Sequence, residues 1–183
     1  MRDLSLHILD IVENSIAAGA KKVEITIEED TNKNLLVVKI KDNGKGMDKK
    51  TLTKALDPFF STKKIRRIGL GLSMLARATK EAEGSFDIKS KKGRGTRVTA
   101  KFVYDHIDRK PIGNMAETII VLVASNGLKA DFIYKHSKNG KSFLFDTRYL
   151  KRKLNGVLIN QPEVLELLKK RILRELKRIQ EGT

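Results

Sequence analysis

The chain has 183 residues, with 38 lysines and arginines against 22 acidic residues, and a formal net charge of +16. It contains no cysteine, which excludes disulfides, thiolate catalysis and cysteine metal sites. The densest apolar run, at 118–124, falls far short of the roughly 20 residues that a membrane span needs. The N-terminus lacks a signal-peptide pattern, so we expect a soluble, cytoplasmic protein.

The positive charge would attract polyanions such as nucleic acid, a nucleotide or an acidic partner. Lysine and arginine are spread along the whole chain, however, and the sequence has no tryptophan and few glutamines. This composition favours a thermophilic origin over nucleic-acid binding. Aromatic residues that would stack on bases are sparse among the basic ones.

The sequence pattern of the first half of the chain predicts helices that cover a sheet. Apolar residues from Leu4 to Ile16 recur at helical spacing, which predicts a helix over about 4–17. Two strands follow in "KKVEITIEED" and "NLLVVKIKD", and a short helix in "KKTLTKAL". A basic loop then leads to a helix in "SMLARATKEAEG" and a hairpin in "SFDIKSKKGRGTRVTAKF". This order predicts an α+β fold, a two-layer α/β sandwich.

The second half begins with a connector after about residue 104. Asn114 and Glu117 form a capping pair that predicts a helix, and Asn139-Gly140 predicts a hairpin between two strands. The remainder, through Pro162, is predicted to be helical, and its last segment is amphipathic and basic. We therefore divide the chain into residues 1–104 and a C-terminal α/β extension, residues 105–183.

Three short segments carry groups that could bind a nucleotide. Asp10 and Asn14 lie four residues apart on one helix face, where oxygen ligands could hold Mg²⁺, although a solvated helix edge would show the same spacing. The segment "DNGKG" ends a strand with Asp42, and it reads either as a surface turn or as the floor of a ligand pocket. "GLGLS" opens a helix after a basic loop, which favours a phosphate site.

Five motifs in order within residues 1–104 resemble the GHKL ATPases, which include gyrase B, MutL, the ninety-kilodalton heat-shock chaperones, anti-sigma kinases and sensor histidine kinases. The matching segments are "DIVENSIAAGA", "DNGKGM", "DPFFSTK", "GLGLS" and "GRGTRV". The resemblance implies the histidine kinase-like ATPase fold, with ATP and Mg²⁺ in a side pocket.

The resemblance also implies a role for each matching residue. Asp42 would accept a hydrogen bond from the adenine amino group, Gly46 would let the base lie against the backbone, and Thr96 would make a second adenine contact. Gly44, in the same glycine box, would also belong to the nucleotide site. Asn14 would be the Mg²⁺ ligand. The phosphates would contact the lid and backbone at Lys63, Gly69, Leu70, Gly71 and Leu72.

The chain departs from the family pattern at three places. Asp10 stands where the hydrolysing members have a glutamate base, which predicts slow hydrolysis. The lid between Phe60 and Gly69 is short, and no helix with a phospho-acceptor histidine precedes the domain, so we do not expect a complete sensor kinase. His7 is interpreted as a packed histidine and not as a phospho-acceptor.

Three functions remain open at this point. The first is a regulatory kinase of the histidine-kinase or anti-sigma type, which acts on an unidentified protein partner. The second is an ATP-gated binding module in which ATP closes the lid and changes a docking surface. The third is a basic nucleic-acid-binding protein, which the scattered charge disfavours.

Overall fold

The computed structural model describes residues 3–55 and 70–181. Its helices are α1 (Leu4–Ala17), α2 (Lys49–Ala55), α3 (Leu70–Glu81), α4 (Met115–Asn126), α5 (Thr147–Lys153) and α6 (Pro162–Gln180). Its strands are β1 (Lys22–Asp30), β2 (Leu35–Asp42), β3 (Ser85–Lys91), β4 (Gly95–Val103), β5 (Asp131–Lys138) and β6 (Lys141–Asp146).

The described strands form one six-stranded sheet in the order β3-β4-β2-β1-β5-β6. Neighbouring strands are antiparallel except for β1 and β5, which run parallel with Lys22 opposite Asp131. Strand β1 therefore lies inside the sheet, with a partner on each side.

One face of the sheet is buried under helices and the other is open. In β1 every second residue is buried, and Val23, Ile25 and Ile27 are fully enclosed. The same core contains buried side chains of α1, α3, α4 and α6. The alternation follows from the strand period of two, and it gives the predicted two-layer α/β sandwich.

Residues after 104 extend the same sheet. Strand β5 pairs with β1, helix α4 packs against α1, and their apolar side chains belong to the core that residues 3–104 also build. The division of the chain into residues 1–104 and 105–183 remains a prediction. The two parts share a sheet and a core.

The local predictions in the second half are confirmed with one exception. The side chain of Asn114 caps α4 by accepting the Glu117 N–H at 3.0 Å, and the β5–β6 turn has positive φ at Asn139 (47°) and Gly140 (86°). The C-terminal segment was expected to be helical throughout, which is wrong for 154–161. The chain turns there through positive φ at Asn155 and Gly156, and α6 begins only at Pro162.

A polar cluster is buried at the end of β1. Both carboxylate oxygens of Glu29, which is 5% exposed, accept hydrogen bonds. Oε1 lies 2.7 Å from His136 Nε2 and 3.2 Å from Gln180 Nε2, and Oε2 lies 3.1 Å from the Tyr104 hydroxyl. The Tyr134 hydroxyl lies 2.7 Å from Nδ1 of the same histidine. This Glu29 cluster joins β1, β5, the connector after β4 and the end of α6.

Within the described ranges, every helix is too short or too polar to cross a membrane.

Candidate functional site

Asp42 is the last residue of β2 and occupies a core-facing position, 8% exposed. Its Oδ1 accepts hydrogen bonds from the backbone N–H groups of Gly44 (2.8 Å) and Thr96 (3.3 Å), and its Oδ2 accepts one from Ser15 Oγ (2.9 Å). Three donors from α1, the glycine segment and β4 therefore fix one carboxylate. The remaining lone pairs can accept a hydrogen bond from a ligand.

The glycine segment after Asp42 is held by the β3–β4 turn. Gly46 has a φ of +62°, and a Cβ on it would lie 2.1 Å from the carbonyl oxygen of Lys91. The backbone N–H of Met47 donates to Ser90 Oγ at 2.8 Å. Gly46 is thus required by the close approach of two backbone segments, which is a structural reason for a glycine that the sequence assigned to ligand contact. The segment still forms part of a pocket wall.

Asp42 lines a cavity of about 430 Å³ between α1, the glycine segment, the start of α3 and β4. This volume is typical of a small-molecule site. Five of the predicted residues line it: Asn14, Asp42, Gly46, Leu72 and Thr96. Apolar side chains of Ile11, Ile40 and Val98 are also part of the lining, which suits one flat aromatic ligand with few polar contacts.

The other predicted residues fall into three groups. Gly44 does not line the cavity, and its backbone N–H supports the Asp42 carboxylate. Leu70 begins α3. Lys63 and Gly69 and the predicted lid lie outside the described residues.

Asp10 lies against the first turn of α3. A Cβ added to Gly71 would come within 2.1 Å of Asp10 Oδ2 and 3.0 Å of its Cγ. The predicted phosphate segment and the predicted catalytic acid are therefore in direct contact. Asn14, one turn further along α1, reaches the cavity wall.

Sequence reasoning missed several residues of the cavity. Ser15 holds Asp42, Met47 adds apolar surface, and Lys45 and Lys92 add positive charge. Ser15 had a readable signal, because it falls on the buried stripe of α1, four residues after Ile11, where a polar side chain needs a partner. Lys92 had none, since only the packing of the β3–β4 turn brings it to the cavity.

His7 is packed, as the sequence predicted. Its ring is fully buried, and within the described part of the chain neither ring nitrogen has a hydrogen-bond partner. Burial, reinforced by the charge of Lys110, lowers the pKa of His7 to about 4. The imidazole is therefore neutral near pH 7.

The metal prediction rests on the donor chemistry at the wall. Residues 3–55 and 70–181 contain no cluster of three His, Cys, Asp or Glu side chains that could hold a metal alone. Asn14 lines the cavity, and one amide side chain there fits an ion that takes most of its ligands from water and phosphate. Mg²⁺ normally binds in this way.

The buried acceptor, the apolar walls and the glycine-bounded cavity define a nucleotide-binding class of domain. A sequence profile described as "Histidine kinase-, DNA gyrase B-, and HSP90-like ATPase" matches residues 2–106, more than half of the chain. The chain belongs to this ATPase family.

Two curated relatives match this part of the chain. It is 35% identical over 88 residues to Sporulation kinase C of Bacillus subtilis and 32% identical over 91 residues to Sensor protein DegM of Bacillus sp. strain B21-2. These matches cover 48% and 50% of this chain, and 20% and 24% of those two proteins. The chain thus matches a quarter or less of the relatives' length.

The fold has solved neighbours at low sequence identity. The Aquifex aeolicus MutL ATPase domain complexed with ADP has a TM-score of 0.50 and 17% identity, over 85% of this chain and 68% of that one. The N-terminal domain of a DNA repair protein has a TM-score of 0.54 and 16% identity, over 79% and 52%. These neighbours support the fold alone.

Proposed function

We propose that this chain is a Mg²⁺-dependent ATP-binding signalling domain of the histidine-kinase or anti-sigma type, which hydrolyses ATP slowly and passes the γ-phosphoryl group to a protein partner. The observation that carries the proposal is the Asp42 carboxylate, fixed by three donors at the wall of a largely apolar cavity. The activity belongs in the cytoplasm, where ATP is available.

The site selects adenine by hydrogen-bond polarity. An ionised carboxylate only accepts, so Asp42 suits the amino group of adenine and disfavours the carbonyl oxygen that guanine has at the same position. A hydrogen bond to a charged group contributes about 1.5–3 kcal/mol. The fixed acceptor needs no rearrangement to bind, which favours affinity.

The relatives favour signalling over repair. The sequence matches at 32–35% identity are to a sporulation kinase and a sensor protein, whereas the MutL likeness is at 17% identity. A second candidate, the ATP-gated binding module, is supported by the contact between Gly71 and Asp10. Phosphates bound at the start of α3 would act on a helix that rests directly on α1.

Calorimetric titration with ATP, ADP and GTP in Mg²⁺ tests the proposal, followed by incubation of the loaded protein with γ-labelled ATP and an extract of the source cells. We expect saturable ATP binding and no GTP binding. We also expect a protein of the extract to become labelled only when this chain is present. Absence of ATP binding would remove the proposal. ATP binding without label transfer, but with a partner retained in ATP and released in ADP, would establish the binding module instead.

Asp10→Glu is expected to raise the basal ATPase rate by up to about 100-fold without tightening ATP binding, because an acid that is one methylene too short misplaces the attacking water. Phosphate release under saturating ATP measures the rate, and Glu13→Gln, on the same helix, is the control. If the wild type already hydrolyses ATP quickly and Asp10→Glu slows it, Asp10 is a competent base.

Asn14→Ala is expected to remove the part of the ATP affinity that depends on Mg²⁺, because it deletes the amide oxygen that α1 supplies to the cavity. Titrations in Mg²⁺ and in EDTA should then give the same dissociation constant. Asn32→Ala makes the same change in the exposed β1–β2 loop and should keep the full Mg²⁺ effect. An unchanged Mg²⁺ dependence in Asn14→Ala would place the ion elsewhere.

A further inference from the structure

The open face of the sheet carries three cations in one cross-strand row. Lys89 of β3 is opposite Arg97 of β4, and Arg97 is opposite Lys41 of β2. All three side chains are exposed. Like charges directly opposite each other in a sheet are destabilising, so this row is unfavourable for the isolated fold.

Elsewhere on the same face, neighbouring charges are paired. Lys22 Nζ lies 2.8 Å from Glu24 Oε1, and Lys39 Nζ lies 3.0 Å from Glu28 Oε1. Across residues 3–55 and 70–181, by contrast, neither Lys41 nor Arg97 forms an ion pair. Lys89, the third cation of the row, has one partner, Asp87, whose Oδ2 lies 3.8 Å from Lys89 Nζ. Lys41 and Arg97 are therefore the two cations of the row that lack an ion pair within the described ranges.

The row borders a hollow of about 240 Å³. Five exposed cations line this basic hollow: Lys41, Lys89, Lys91, Arg94 and Arg97. Lys91 ends β3, where its carbonyl oxygen lies against Gly46, and Arg94 lies in the β3–β4 turn. The fold thus collects charges from three strands and a turn around one concave surface.

The surroundings of the basic hollow limit what it can bind. Its row of cations ends at Glu24 on β1, and Asp87 lies beyond Lys89 on β3. Three strands span about 10 Å, which matches two or three carboxylates and is short for a nucleic-acid backbone. None of the residues that line the hollow, all in the described part of the chain, is aromatic, so it offers no platform for bases.

We propose that the basic hollow is a docking site for a short acidic segment, rich in Asp or Glu, of a protein partner. Carboxylates there would replace the repulsion within the row by charge-assisted hydrogen bonds. This inference rests on the proposed function, because that function requires a protein partner. It adds that the segment of the partner that binds here is acidic.

The basic hollow and the cavity that contains Asp42 share part of one wall. Asp42 and Thr96 line both, and the Thr96 N–H donates to Asp42 Oδ1. An acidic segment bound at Arg97 would therefore contact β4, the strand whose Thr96 N–H helps to position the Asp42 carboxylate. ATP and the acidic segment should affect each other's affinity, and by linkage the effect must be reciprocal.

Binding of a fluorescent hexaglutamate peptide at low salt tests the proposal, with a hexaglutamine peptide and a short DNA duplex as comparison probes. The Lys41→Gln, Arg97→Gln double variant should lose about tenfold or more in hexaglutamate affinity. The matched control is Lys101→Gln, Lys135→Gln, which removes the same charge from the same face. Those two lysines stand opposite uncharged residues in the sheet.

The outcomes separate this proposal from the proposed function. Retained hexaglutamate binding in the control, with loss in the Lys41, Arg97 variant, supports the acidic docking site. Equal loss in both variants, no binding by the wild type, or tighter binding of DNA at the same residues would overturn it. The melting temperature should not fall in the Lys41, Arg97 variant, because repulsion is removed. ATP titration of each protein, without peptide, tests the proposed function independently.

Discussion

Glu29→Ala is expected to lower the free energy of unfolding by about 2–5 kcal/mol, because a buried polar group that loses its hydrogen-bond partner costs about 1–3 kcal/mol and more than one is affected. The substitution removes the acceptor of His136, Tyr104 and Gln180 together. It also leaves the buried ring nitrogen of His136, which is 2% exposed, without its carboxylate. The cost arises mainly at His136, which is buried, because its ring nitrogen cannot reach water, whereas Tyr104 is half-buried and Gln180 is exposed.

Denaturant unfolding, with the slope of the transition compared between proteins, measures this effect. Glu28→Ala is the matched control, since Glu28 is the adjacent residue on the open face and pairs with a half-exposed Lys39. That variant should change stability by about 1 kcal/mol or less. Similar losses for Glu28→Ala and Glu29→Ala would show that the Glu29 cluster contributes nothing specific.

The same cluster predicts a pH dependence. Burial raises the pKa of Glu29, but hydrogen bonds from His136 and Tyr104 outweigh it and hold the pKa below its ordinary value of 4.5. Because the pKa is lowered in the folded state, the stabilisation is complete above 4.5 and is lost as pH falls through the folded pKa. The stability difference between wild type and Glu29→Gln should therefore shrink in acid.

Asp42→Asn is expected to weaken ATP binding by about 10- to 100-fold, the loss of one hydrogen bond to a charged acceptor. Its Oδ1 position can still accept from Gly44 and Thr96, and the new amide can donate to Ser15 Oγ, which can turn its own proton to the Ile11 carbonyl at 3.1 Å. The ligand-free melting temperature should therefore change little. The adenine amino group, however, would meet a second donor.

Calorimetric titration with ATP and a melting curve without ligand measure the two effects separately. Asp48→Asn is the control, because Asp48 also lines the cavity but is exposed and caps α2 through the Thr51 N–H at 2.7 Å. It should bind ATP nearly as the wild type does. An Asp42→Asn protein that binds ATP normally would remove the adenine assignment.

Local sequence signals predicted the elements and several cavity residues. Helix α1, the hairpin at Asn139-Gly140 and the Asn114 cap follow from spacing and turn chemistry within a few residues. Asn14, Asp42 and Thr96 were placed through ordered motifs, and the structure brings all three to one cavity. Motifs of this kind are readable because their residues act through local backbone geometry.

Long-range packing was not readable in the same way. Nothing local to β1 or β5 specifies that they pair, so the sequence did not predict that residues after 104 continue the sheet of the first half. The acidic residues near the ends of β1 and β2 gave a partial signal for buried polar contacts. Asp42 and Glu29 both continue the alternation of buried positions in their strands, and a carboxylate on a core-facing position requires donors.

The place of β1 inside the sheet has a consequence for how the protein is made. Glu29 and His136 are 107 residues apart in the chain, and β1 meets β5 only when that distance is closed. While the ribosome is still synthesising the connector, β1 has an unpaired edge and Glu29 lacks two of its donors. Closing such non-local strand pairs is slow compared with forming hairpins and helices. The pairing of β1 with β5 is therefore completed late in translation, after residues 131–138 have emerged.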